Sequence, residues 1–172
     1  MKIPAPDVWR WAYSDFLPNA QRGVLAEYIV ALAVGAESNA RKMWDAVDVV
    51  SPRGVRIEVK SAAYLQAWEQ AEPSKIRFDI APRRIWDKDT KRYACSPSRA
   101  ADVYVFALFE TTEQALADPL DLAQWSFRAC DSAVLDRAFG SQRTVSLAAL
   151  ERLGLLRLSY DQLIGDLRER AG

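Results

Sequence analysis

The sequence predicts an α/β fold, a mixed central sheet of about five strands flanked by helices, in a single domain over residues 1–172. The chain has 172 residues, of which 50% are hydrophobic and 27% charged, which is the size and composition of one compact domain. Segments with the apolar period of helices and segments with β-branched, strand-like runs both occur along it. Their order is two helices, a hairpin, three strands and further helices, which is typical of a mixed sheet covered by helices.

Two helices are predicted at the N-terminus. The first covers residues 6–17, where apolar side chains recur at helical spacing, and it ends at Pro18. The second begins at an Asn19 cap and runs to about Val34, with Gly35 where a left-handed C-cap is expected. Because the second helix is apolar nearly all round, we expect it to be buried.

The sheet is predicted from a hairpin and three later segments. The hairpin joins strands over 43–50 and 55–61 through Ser51-Pro52-Arg53-Gly54, which fits a type I turn. Further strands are predicted over 75–81, 102–109 and 125–130, and further helices over 132–139, 146–153 and 159 to about 170. Residues 82–100, with two prolines and many cations, are predicted to form a long basic loop.

The composition excludes several kinds of chemistry. The chain has no histidine, so it cannot run a Ser-His-Asp or Cys-His mechanism or build the usual histidine-containing zinc site. Cys95 and Cys130 stand far apart without a CxxC spacing, which indicates reduced thiols. Neither GxGxxG nor GxxxxGK[ST] occurs. Acid, base or metal chemistry must therefore come from carboxylates, lysine, tyrosine or the two thiols.

Charge and hydropathy predict the partners of the protein and its location in the cell. The 23 Lys and Arg balance 23 Asp and Glu, so any nucleic-acid surface must be a local patch. The apolar stretch over 24–36 contains Glu27 and is too short to cross a bilayer, and the N-terminus lacks a secretion signal. We expect a cytoplasmic protein with no membrane partner. Trp9 and Trp11 are expected in the core or in a contact between subunits of a homodimer.

Glu27 is the one charged side chain between Gly23 and Ala36. Burying an unpaired carboxylate in an apolar helix is costly, so Glu27 needs either a cation or an opening to water. The alternative is that it lies on an exposed stripe of the helix with Arg22 nearby.

The second strand of the hairpin carries Glu58 and Lys60 on one face. Such a pair alone is most often the solvated polar face of a strand. The first strand, however, adds a carboxylate in either register. A turn without a bulge places Asp45 opposite Lys60, whereas a bulge at Gly54 places Asp48 opposite Glu58.

Two carboxylates about 4–8 Å apart on adjacent strands suit a hard divalent cation, because Mg²⁺ takes oxygen ligands and keeps several waters. Such a metal makes its bound water a better nucleophile and neutralises charge on a phosphodiester. An ammonium such as Lys60 can orient the water or stabilise developing negative charge. The pattern therefore suits a divalent cation and a water that it activates.

The order of these residues resembles that of the PD-(D/E)xK, or restriction-endonuclease-like, nuclease superfamily. The resemblance covers residues 19–62, and its elements are Glu27 in Gly-Val-Leu-Ala-Glu, then Asp45, then twelve residues, then Glu58-Val59-Lys60. It implies a helix that supplies Glu, a hairpin that supplies Asp and Glu-x-Lys, and a mixed sheet that holds them. The proline that gives the superfamily its name is missing before Asp45.

The resemblance implies a role for each position. Asp45 and Glu58 would bind Mg²⁺, or Mn²⁺, through their carboxylates, with the Val59 carbonyl as a third ligand. Lys60 would position or activate the attacking water. Glu27 would hold a second metal or a water in its outer shell.

Two aspartates compete for the ligand position. The superfamily usually places its Asp after an aromatic or apolar residue, about a dozen residues before Glu-x-Lys. Asp45 after Trp44 fits that placement, and Asp48 is the alternative.

The basic segment is the candidate nucleic-acid surface. Its cations could neutralise phosphates, and Trp86 and Tyr93 could stack on bases. The candidate phosphate contacts are Arg83, Arg84, Lys88, Lys91 and Arg92. The alternative is a solvated basic loop.

The leading hypothesis is a Mg²⁺-dependent nuclease that hydrolyses phosphodiester bonds of DNA with a metal-activated water. One alternative is a catalytically silent nuclease-fold module that binds DNA or protein. Another is an α/β domain that binds a small molecule or protein while Glu58 and Lys60 face solvent, and it predicts no metal affinity.

Overall fold

A computed structural model describes residues 2–38, 40–41, 45–87 and 90–171. Its helices are α1 (Ala5–Tyr13), α2 (Asn19–Val34), α3 (Ser132–Phe139), α4 (Leu147–Arg152) and α5 (Tyr160–Ala171). Its strands are β1 (Val49–Val50), β2 (Arg56–Ala63), β3 (Arg77–Asp79), β4 (Trp86–Asp87), β5 (Arg92–Tyr93), β6 (Val103–Phe109), β7 (Trp125–Asp131) and β8 (Thr144–Ser146).

The central sheet is mixed and flanked by helices, as predicted. In the described part of the chain it has four strands in the order β1-β2-β6-β7. β2 runs parallel to β6, and β1 and β7 pair antiparallel with their neighbours. The strand predicted over 75–81 forms as β3, but it pairs with β8 outside this sheet. β8 occupies the predicted start of a helix, and α4 begins one residue later, capped by the Ser146 hydroxyl.

The sheet carries an apolar cluster on each side, and β6 is buried along its whole length because it faces both. On one side α2 and α5 pack against residues such as Ile57, Val59 and Phe127. On the other side β3, α3 and α4 pack against Tyr104 and Phe106. Along β2 the side chains alternate, so the polar positions of this strand lie on the second side.

Helix α2 has the predicted bounds. Gly35 has a φ of 71°, and Ala36 donates its N–H to the Ala31 carbonyl at 2.8 Å, so the left-handed C-cap is confirmed. The N-cap is Pro18, and the Asn19 side chain instead accepts a hydrogen bond from Arg22. The helix buries one face only, because apolar side chains such as Tyr28 remain exposed on the other.

Helix α1 ends at Tyr13, earlier than predicted, and none of its residues is buried. Trp9 is exposed, and the Trp11 side chain is 88% exposed, so the prediction that they lie in the core is wrong. Within the described residues, no helix combines the length and the apolar character needed to cross a membrane.

Candidate active site

The turn between β1 and β2 sets which residues face each other. Gly54 donates its N–H to the Ser51 carbonyl at 2.8 Å and has a φ of 87°, while Ser51 donates to the Val55 carbonyl at 2.9 Å. Ser51 therefore faces Val55, and Gly54 is the extra residue of a bulge, which glycine adopts readily at this φ. The ladder continues with Val49 opposite Ile57. The register without a bulge, which places Asp45 opposite Lys60, is wrong.

The ladder stops after two residues, and Asp48 continues it with its side chain. The predicted strand over 43–50 is observed only at Val49–Val50; residues 43 and 44 lie outside the described residues, and 45–48 form no strand. The Asp48 Oδ2 atom accepts the Val59 N–H at 2.8 Å. A carboxylate thus satisfies the backbone donor that the Val47 carbonyl would have satisfied in a longer β1.

The Val59 carbonyl points to the same edge of β2. In a strand, the N–H and C=O of one residue point to the same side. Val55 and Val59 bond toward β1, whereas the Arg56 carbonyl accepts the Asp102 N–H on the β6 side. The Val59 carbonyl oxygen therefore lies on the side occupied by the Asp48 carboxylate.

Glu58 and Lys60 form an ion pair with a distance of 2.5 Å between Nζ and Oε1, and both side chains are only 19% exposed. Burial raises the pKa of Glu58, the Lys60 charge lowers it, and the Asp48 charge raises it. Asp48 is therefore near enough to Glu58 to act on its ionisation. The bulged register brings these three groups together.

Glu27 has a cation as its partner. Arg41 donates from Nε to Glu27 Oε2 at 2.5 Å and from Nη2 to Oε1 at 2.9 Å. Arg22 is used elsewhere, since its Nη1 donates to the Leu17 carbonyl at 2.6 Å. The interpretation in which Glu27 is solvated beside Arg22 is therefore wrong. Sequence spacing gives no signal for the Arg41 contact, because the chain between the two residues leaves a helix and turns back.

The Glu27–Arg41 pair lines a cavity of about 800 Å³ next to α2 and β1. Asp45 and Asp48 also line it, and much of the remaining wall is apolar, as at Tyr28. Asp45 is exposed and lies in an irregular segment. Asp48 connects the cavity to the Glu58–Lys60 pair, because its charge acts on both Arg41 and Glu58.

The donor set fits a magnesium-type site of few protein ligands. No group of three or more His, Cys, Asp or Glu side chains in the described ranges is arranged to hold a metal ion. Asp48 and Glu58 offer two carboxylates, with the Val59 carbonyl on the same edge. Mg²⁺ is commonly bound through one or two carboxylates and retains waters, so this set suits it.

The basic segment is partly a hairpin, which corrects the prediction of a plain loop over 82–100. β4 pairs with β5, and the exposed rings of Trp86 and Tyr93 meet edge to face with centroids 5.0 Å apart. The exposed cations Arg84, Lys91 and Arg92 flank this pair, while Lys88 lies outside the described residues. Arg83 pairs with Asp79 at 2.6 Å.

The Arg83 end of this segment is close to the Glu58–Lys60 pair. The Arg83 charge lowers the pKa of Glu58, although burial of Glu58 is the larger influence and raises it. The Lys60 charge likewise helps to lower the pKa of Asp79, against an opposing effect of burial. The basic segment therefore begins beside the candidate site.

Comparison with known proteins identifies the family. A family model described as bacteriophage T4 endonuclease IV matches residues 11–147, about four-fifths of the chain. No curated protein matches the chain. The matched range contains α2, the β1–β2 hairpin, the basic segment and every residue of the candidate site. The chain belongs to the bacteriophage T4 endonuclease IV family.

Proposed function

We propose that the protein is a metal-dependent DNA endonuclease whose active site is formed by Asp48, Glu58, the Val59 carbonyl and Lys60. Membership of an endonuclease family supports a nuclease that acts on nucleic acid. The resemblance of residues 19–62 to PD-(D/E)xK nucleases supports Glu58, the Val59 carbonyl and Lys60, and it offers Asp48 as the alternative to Asp45. The observation that carries the proposal is the Asp48 carboxylate bound to the Val59 N–H beside the Glu58–Lys60 pair.

Asp48, Glu58 and the Val59 carbonyl would hold Mg²⁺ or Mn²⁺. Such a cation, when bound, would supply positive charge against the phosphodiester and would lower the pKa of a water. Lys60 donates to Glu58 here, and an ammonium has three donors, so others remain to orient the attacking water or stabilise the developing charge.

Replacing each of the two candidate aspartates by asparagine tests which of them is the metal ligand. Asp48→Asn is expected to lower cleavage of single-stranded and plasmid DNA by at least about 100-fold and to weaken Mn²⁺ binding in calorimetry, since a charged ligand is lost. Asparagine still offers an oxygen to the Val59 N–H, so the fold should survive, as circular dichroism will show. Asp45→Asn is the matched control and should keep activity within a few-fold of wild type.

Lost activity in Asp45→Asn together with retained activity in Asp48→Asn would make Asp45 the metal ligand. Wild-type protein that binds Mn²⁺ and DNA but cleaves neither substrate would instead support the silent nuclease-fold module. Wild-type protein that binds no metal would contradict the proposed chemistry.

The β4–β5 hairpin is proposed as a nucleic-acid contact. Its exposed Trp86 and Tyr93 offer stacking surfaces, and the surrounding cations offer phosphate contacts. Trp86→Ala is expected to weaken oligonucleotide binding about tenfold, because stacking contributes roughly 1–3 kcal/mol per base. Trp11→Ala removes an exposed indole outside the hairpin and should leave the affinity unchanged. Equal affinities of the two variants would contradict the contact.

A further inference from the structure

We propose that Arg41 binds a phosphate of the substrate strand and that Glu27 is the residue that positions it. The inference rests on the proposed nuclease function and adds a substrate contact to the same site. It also replaces the metal-holding role that the resemblance implies for Glu27.

The geometry of the ion pair leaves Arg41 able to bind a second anion. A guanidinium carries five N–H donors, and Glu27 takes one from Nε and one from Nη2. No other described residue accepts from the Arg41 side chain, which leaves three donors, two of them on Nη1. The Glu27 side chain is 14% exposed whereas the Arg41 side chain is 43% exposed, so the acid is sheltered and the cation is open to solvent.

The bidentate contact also fixes the direction of the guanidinium. A forked pair in which both carboxylate oxygens accept is stronger and more directional than a single contact. The Glu27 contact raises the pKa of Arg41, and the neighbouring Asp48 charge adds to this effect. A guanidinium is a permanent cation, and the fork holds that of Arg41 in one orientation before any substrate arrives, which suits planar recognition of phosphate.

The charges around Arg41 explain why a cation is needed at this position. Among the described residues that line the cavity, Arg41 is the one cation, whereas Glu27, Glu37, Asp45 and Asp48 are acids. A phosphodiester backbone approaching Asp48 would be repelled by the Asp48 carboxylate. A guanidinium beside Asp48 offsets that repulsion and gives a phosphate next to the scissile one a defined place.

The ion pair also disfavours metal binding by Glu27. Both Glu27 oxygens already accept from Arg41, and the Glu27 side chain is mostly buried. A metal ion would therefore have to displace a bidentate contact to bind Glu27. Within the described residues no arginine forms such a fork on Asp48 or Glu58: Asp48 accepts the Val59 N–H, and Glu58 accepts from Lys60.

The test measures oligonucleotide affinity over a salt series and Mn²⁺ affinity by calorimetry in the same variants. Binding of a labelled DNA oligonucleotide is followed by fluorescence anisotropy in Ca²⁺, from low to moderate salt. Arg41→Ala is expected to raise the oligonucleotide Kd about tenfold at low salt and to reduce the slope of log K against log salt by about one. Glu27→Gln should raise the Kd by less, in the same direction. Glu27→Gln should leave the Mn²⁺ affinity unchanged, and Arg41→Ala should not weaken it.

Arg157→Ala is the matched control. Arg157 makes the same fork on a glutamate, donating from Nε to Glu110 at 2.9 Å and from Nη2 to the other oxygen, but it does not line the cavity. Its removal should leave both the oligonucleotide Kd and the salt slope unchanged. Arg41→Lys keeps the charge without the fork and should fall between wild type and Arg41→Ala.

Three outcomes would overturn the inference. An unchanged salt slope in Arg41→Ala would show that Arg41 touches no phosphate. Loss of Mn²⁺ affinity in Glu27→Gln would make Glu27 a metal ligand, and loss of Mn²⁺ affinity in Arg41→Ala would attribute its weaker oligonucleotide binding to the metal site. Wild-type protein that binds neither Mn²⁺ nor oligonucleotide would overturn the proposed nuclease function itself, which separates the two failures.

Discussion

Glu58→Gln is expected to lower metal-dependent DNA cleavage by about 10³-fold, the largest functional effect of any single substitution considered for this protein. The change removes one of two carboxylates proposed to hold the cation. The amide oxygen of the new glutamine can still accept from the Lys60 ammonium, which donates to Glu58 at 2.5 Å, so the local structure should persist. Single-turnover cleavage at saturating Mg²⁺, with thermal unfolding in parallel, measures both effects.

Glu110→Gln is the control for this substitution. Glu110 is also a half-buried acid paired with a cation, Arg157, but it follows β6 and lies away from the candidate site. It should leave cleavage unchanged and at most lower stability. Equal cleavage by wild type and Glu58→Gln would contradict the assignment of Glu58 as a ligand.

The ionisation of Glu58 adds a pH dependence to the same prediction. Burial is the largest influence on the pKa of Glu58 and raises it, so the charged form appears at a higher pH than for an ordinary glutamate. Mn²⁺ affinity should therefore rise with pH through this raised pKa, and Glu58→Gln should lack that step. The proton binds the folded state more tightly than the unfolded state, so the contribution of Glu58 to stability falls as pH rises through the same range. Bound metal should offset this loss.

Phe106→Ala is expected to lower the free energy of unfolding by about 3–5 kcal/mol, the largest expected effect on stability. Phe106 is fully buried on β6, meets the Phe78 ring edge to face at 5.1 Å, and lies opposite Lys60 in the β2–β6 ladder. Its loss leaves a cavity beside Lys60, next to the strand that carries the candidate site. Urea unfolding followed by circular dichroism measures the change.

Tyr13→Ala serves as the reference for aromatic truncation, because the Tyr13 side chain is exposed on α1. It should change the free energy of unfolding by less than about 0.5 kcal/mol. A loss of unfolding free energy in Phe106→Ala as small as that in Tyr13→Ala would mean that the apolar cluster between β6 and β3 contributes little to stability.

Elements that depend on local interactions could be predicted from the sequence. Helix α3 forms over the predicted residues, and α5 begins at the predicted capping box, where Ser159 donates its N–H to Gln162 at 2.9 Å and accepts one from Gln162. Helix α2 ends at Gly35 because glycine tolerates the left-handed conformation there. These features need only neighbouring residues.

Features that depend on distant contacts could not be predicted. β3 has strand periodicity, yet which strand pairs with it depends on β8, more than sixty residues later. α1 has an apolar stripe, but no other element among the described residues buries it. Periodicity shows which side of an element is apolar without showing what packs on it.

The candidate site likewise has features that could be predicted from the sequence and features that could not. The alternation of Glu58 and Lys60 along a strand could be predicted, whereas the opposing aspartate depended on one backbone angle at Gly54. Both registers are compatible with the turn sequence, and only the bulge brings Asp48 to Val59. The partner of Glu27 depended on where the chain returns after α2.

The parallel pairing of β2 with β6 also constrains when the candidate site can form. Glu58 lies opposite Tyr104, so a loop of roughly 45 residues must close before the strand that carries Glu58 and Lys60 gains this neighbour. Pairing between segments so far apart in sequence is slow compared with hairpin closure. On a ribosome, the β1–β2 hairpin leaves the exit tunnel well before β6 does. The nascent chain therefore carries the residues of a nuclease without their supporting sheet until β6 has been synthesised.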